Sequence, residues 1–140
     1  MSVMNAPRAT LLAGVVAYVL GWILPAAADV RGWKAFGLAL SPLWSADEFA
    51  DEPVWFLILM VASALTNVAF IALAVLLARG GKPKVVLWAA AAATLLNLHW
   101  VITMEADRRY LASGYFVWIV SFALLALAAY LERAAPSSRH

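Results

Sequence analysis

Apolar residues in this chain do not alternate with polar ones; they run in four nearly unbroken blocks. Residues 9–27, 54–78, 84–104 and 110–131 each have the length, at about 1.5 Å of rise per residue, to carry a helix across roughly 30 Å of hydrocarbon. The ten basic and eight acidic residues fall between the blocks or at their ends. A helix that is apolar all round has to be buried in protein or in lipid. The pattern therefore predicts an all-α integral membrane protein, an antiparallel four-helix transmembrane bundle forming a single membrane domain over 1–140.

Turn signals join the blocks. Arg79-Gly80-Gly81-Lys82-Pro83 supplies glycines for one helix end and a proline for the next first turn, making spans 2 and 3 a hairpin. Glu105-Ala106-Asp107-Arg108 is equally short, with Asp107 the expected N-cap of span 4. The 29–53 connection is longer. In it Trp33, Phe36, Leu40, Leu43 and Trp44 recur at steps close to three and four around Pro42, which predicts a short interfacial amphipathic segment. Ser45-Ala46-Asp47-Glu48 has capping-box spacing, and Glu52-Pro53 marks another start for span 2. The tail 134–140 is expected to fray. The first block also has signal-peptide features, with Arg8 ahead of an apolar run and Ala26-Ala27-Ala28 as a small-residue site. Its length and Trp22 near the outer boundary favour a retained span, although cleavage stays an alternative.

Composition sharpens this picture. A hydrophobic fraction of 66% and a mean hydropathy of +0.87 leave no room for a separate soluble domain. The basic residues are scattered, so no nucleic-acid partner is expected. They bear instead on orientation. Arg8, Arg79, Lys82, Lys84, Arg133 and Arg139 fall on the side of both termini, against Arg31, Lys34, Arg108 and Arg109 on the other. The positive-inside rule then puts both termini in the cytoplasm, with the protein expected in a bacterial inner (plasma) membrane. The absence of cysteine excludes thiolate chemistry and cysteine-ligated metals within the chain. Trp22, Trp33, Trp44, Trp55 and Trp100 read as an outer interface belt, with Trp88 near the inner boundary.

Candidate chemistry is confined to polar residues inside the spans. Ser63, Thr66 and Asn67 share a face of span 2, as Thr94 and Asn97 do on span 3. They serve either as interhelical hydrogen bonds or as the lining of a polar pocket for a small molecule or lipid. No carboxylate accompanies them, which argues against a proton or cation relay. His99 is the one internal histidine, close enough to the boundary to reach water or Glu105, as a ligand or proton-transfer group. Haem generally takes two facing ligands and zinc at least three, so neither a cofactor nor a metal is expected. Asp47, Glu48, Asp51 and Glu52 complement a helix N-terminus more simply than they ligate a cation. Nucleophile elbows, phosphate loops and dinucleotide fingerprints are absent.

Small residues supply the last signal: Ala13, Ala17 and Gly21 on span 1, and Gly114, Ser121 and Ala128 on span 4, let helices approach closely. The leading expectation is a non-enzymatic membrane subunit or binding module, assembled with itself or with other membrane proteins and surrounded by membrane lipids. A small transporter or lipid-binding protein with a polar pocket between spans 2 and 3 is the alternative. A haem- or redox-associated protein using His99 is the third.

Overall fold

The computed structural model describes residues 5–103 and 109–135. They are mostly helical, in the order α1 (Ala6–Ile23), β1 (Pro25–Ala27), β2 (Val30–Arg31), α2 (Gly32–Leu40), α3 (Val54–Ala78), α4 (Pro83–Thr103) and α5 (Ser113–Ala134), with two short 3-10 turns at Ser41–Leu43 and Ala46–Phe49. Helices α1, α3, α4 and α5 are long and apolar enough to cross a membrane.

Local chemistry explains most boundaries. Asn5 caps α1 by accepting a hydrogen bond from the Arg8 amide, and Pro7 sits in the first turn, where its missing N–H costs nothing. Helix α3 closes in a Schellman motif: the Gly80 and Gly81 amides reach back to the Leu77 and Leu76 carbonyls, with Gly80 at φ 72°.

Several expected boundaries move. Span 1 ends at Ile23 because residues 25–31 form a small antiparallel hairpin, with Ala28 at φ 44° in its turn. Span 4 starts at Ser113 because Leu111 pairs with Ala27 and the Ala112 amide donates to the Ala26 carbonyl. The capping box at Ser45 does not form: its side chain makes no cap hydrogen bond, and a 3-10 turn follows it. Span 2, by contrast, keeps its expected bounds: α3 runs Val54–Ala78 with Pro53 as its N-cap residue. The expected cap at Asp107 lies outside the described residues.

Helix α5 packs along both α1 and α4, and α3 packs against α4. Phe70 stacks on Tyr18 at 4.2 Å and meets Phe122 edge-on at 5.2 Å, while Val86, Ala90, Leu125 and Ala128 are fully buried around them. Of the expected small-residue stripe on α1, Gly21 is buried, Ala17 half-buried and Ala13 exposed; the buried face runs instead through Gly14, Tyr18 and Gly21. A Cβ on Gly21 would lie 2.8 Å from Trp118 Cβ, so this crossing requires glycine. Outward faces are apolar, with Leu95 70% and Ile102 73% exposed.

The 24–53 connection folds back over the α1 C-terminus and the α3 N-terminus; this end of the molecule is called the capped end below. Gly32 is pressed against the Gly21 carbonyl and the Trp22 backbone, leaving no room for a Cβ. The amphipathic segment is α2 with its 3-10 extension. Phe36 and Leu40 are half-buried and Trp33, Leu43 and Trp44 exposed.

Candidate functional site

Four of the five candidate residues on spans 2 and 3 meet in a buried polar layer. Ser63 donates its hydroxyl proton to Asn97 Oδ1 and accepts from Trp100 Nε1 at 3.1 Å. Asn97 Nδ2 donates to Thr66 Oγ1 at 3.1 Å and to the Ala93 carbonyl at 2.8 Å, and the Tyr115 hydroxyl donates to the Asn97 carbonyl. Helices α3, α4 and α5 are thereby joined. A second branch joins α1, α3 and α5. Asn67 Oδ1 accepts from Trp118 Nε1 at 2.8 Å, its Nδ2 donates to the Ala64 carbonyl at 3.1 Å, and its backbone carbonyl accepts from the Tyr18 hydroxyl at 3.2 Å. Thr94 is not part of the layer. It is half-buried and donates to Ala90 of its own helix at 2.8 Å.

Asn97 is completely buried, and its side-chain oxygen and both side-chain N–H groups are bonded within the protein. At the level of Asn97 the interface between α3 and α4 is joined by protein–protein hydrogen bonds.

A cavity of about 500 Å³ lies beneath the cap, between α2 and the capped-end halves of α1, α3 and α5, with Trp100 of α4 also in its wall. Its walls are apolar and largely aromatic, with Trp22, Phe36, Phe49, Phe56 and Trp118 among them. Ser63 and Asn67 line it, so they belong to the polar layer and to the cavity at once. By rise per residue, Ser63 is about 14 Å along α3 from Val54. Hydrogen-bond capacity remains there: one N–H and one lone pair on Asn67, and one lone pair on Ser63.

Two tryptophans expected in an interface belt take other roles. Trp22 packs on Phe36 at 5.1 Å, Trp100 bonds Ser63, and both line the cavity. Trp33, Trp44, Trp55 and Trp88 are exposed. His99 is half-buried, hydrogen-bonds with the Leu96 carbonyl through Nδ1, and lies with its ring 4.3 Å from that of Trp100; it does not line the cavity. Glu105, its expected partner, lies outside the described residues. Asp47, Glu48, Asp51 and Glu52 are all exposed.

Tyr18, Tyr115 and Trp118 are the polar-layer residues that sequence reasoning missed. A usable signal was present: a hydroxyl or indole N–H inside an apolar span needs a partner when buried. No protein-family model matches the chain, and comparison with curated proteins and with solved structures finds no similar protein.

Proposed function

We propose that the chain is a small, non-enzymatic membrane protein that binds one apolar molecule in the cavity beneath its cap. The observation that carries this reading is the cavity itself, a space of about 500 Å³ within the size range of small-ligand sites, apolar-walled with a few polar atoms on one side. Membrane residence is supported by the apolar outward faces of four helices of spanning length, a surface that would aggregate in water.

The arrangement in the membrane is an antiparallel transmembrane bundle. Gly14 approaches Leu124 while Gly21 approaches Trp118, and Phe56 meets Trp100 while Ser63 meets Asn97, so both pairs run in opposite senses. The basic-residue count favours both termini on the cytoplasmic side of a bacterial inner membrane, which turns the capped end outward. Assembly into a larger complex drew its support from the small-residue stripes. Gly21, Gly114, Ser121 and Ala128 are buried within one chain, which leaves exposed Ala13 as the stripe residue open to a partner.

The test is purification in a mild detergent with native lipids retained, followed by native mass spectrometry. One small molecule per chain should accompany the protein and be lost from Met60→Trp, which fills the cavity, while the circular dichroism of the two proteins stays alike. An empty wild-type protein, or equal retention by the variant, overturns the reading.

A further inference from the structure

We infer that the cavity takes an uncharged, single-chain amphiphile, bound with its polar end against Ser63 and Asn67 and its chain along the aromatic walls. The inference rests on the ligand-binding reading above and names the class of ligand.

Charge is the first argument. No Lys, Arg, His, Asp or Glu is among the described residues lining the cavity. The polar atoms on offer lie along α3 about 14 Å (Ser63) and about 20 Å (Asn67) from its start. A carboxylate, phosphate or ammonium group brought there would be stripped of water with no counter-charge to meet it, and would be rejected. A hydroxyl or ester carbonyl is neutral and can use the remaining Asn67 N–H as donor and the Asn67 and Ser63 lone pairs as acceptors.

Distribution of polarity is the second. Apart from the unpaired Nε1 of Trp22 on α1, the side-chain polar groups with capacity left are those of Ser63 and Asn67, one turn apart on α3, and the remaining lining is overwhelmingly apolar, including Ala35, Phe36, Leu38 and Met60. A ligand polar at one end and apolar elsewhere matches that surface; one with polar groups along its length does not. The floor is also rigid. Ser63 is held by Asn97 and Trp100, and Asn67 by Trp118 and Ala64, so the polar atoms face the ligand without reorganisation.

The test uses three probes with one 9,10-dibromostearoyl chain and different heads: the monoacylglycerol, the free acid held as its anion at pH 9, and the lysophosphatidylcholine. Bromine quenches indole fluorescence, and Trp22, Trp100 and Trp118 lie in the cavity wall. In wild-type protein in nanodiscs the monoacylglycerol should quench saturably, at least tenfold tighter than either charged probe. Asn67→Leu should weaken it about tenfold while leaving the anion unchanged. Ser63→Ala, a smaller change, should weaken it several-fold if Asn67→Leu does not fold. If the charged probes bind as tightly as the neutral one, the ligand class is wrong while the cavity remains a binding site. If no probe saturates, this inference falls, and the binding reading is judged separately by the molecule that accompanies the purified protein.

Discussion

Asn97 and Thr94 sit one turn apart on α4 and show how much position matters for a polar residue in an apolar helix. Asn97 is fully buried and bonds across the interface to Ser63 and Thr66, whereas Thr94 bonds only to its own backbone. Interhelical hydrogen bonds in membrane proteins are worth roughly 0.6 kcal/mol each, with a ceiling near 1.7. Asn97→Ala, which breaks two of them and opens a void, should therefore lower stability by about 1–3 kcal/mol. Thr94→Ala should change it by less than about 0.5 kcal/mol. Unfolding of the two variants in the same detergent, followed by circular dichroism, checks the contrast; equal losses would mean that the layer does not hold the helices together.

At the scale of elements, glycine separates two kinds of helix contact. A Cβ on Gly21 would lie 2.8 Å from Trp118 Cβ, so Gly21→Ala must push α1 off α5, at a cost of about 1–3 kcal/mol for overpacking. Gly37 in α2 has open space where a Cβ would go, and Gly37→Ala should raise stability by about 0.5–1 kcal/mol through helix propensity alone. Thermal melts of the pair should move in opposite directions. Gly32→Ala acts on the cap: with no room against Gly21 and Trp22, α2 should lift away. Trypsin should then cut at Arg31 or Lys34 faster than in wild type, while the helical signal of the long helices persists. The helices themselves were legible in the sequence, because blocks of twenty apolar residues admit few other structures. The hairpin at 25–31 was not, since strands of three and two residues leave no periodicity to read. The polar layer was legible as far as Ser63, Thr66, Asn67 and Asn97, whose spacing places them on facing sides. The cavity was not, because it depends on Trp22 and Trp100 turning inward, and a tryptophan near a span end reads equally well as an interface anchor.

For the whole molecule, placed in a membrane as proposed, orientation decides which side the cavity faces, and the margin in the sequence is small. Six basic residues lie on the side of the termini and four on the capped side. Three of the six, Arg79, Lys82 and Lys84, are concentrated in and beside the turn between α3 and α4. Acidic residues weigh little in this rule, so the acids near Asp47 do not offset the balance. With both termini cytoplasmic, a green fluorescent protein fused after His140 should fluoresce, and alkaline phosphatase at the same point should be inactive. Replacing Arg79, Lys82 and Lys84 together by glutamine leaves three basic residues against four, and the bias reverses. Phosphatase activity should then appear in a substantial fraction of molecules. Arg31 and Lys34, on the capped side, supply the converse: replacing them should deepen the original orientation and leave the fusions unchanged. Phosphatase activity in the unaltered fusion would put the capped end in the cytoplasm, and the cavity would then open toward the inner leaflet and draw its ligand from there.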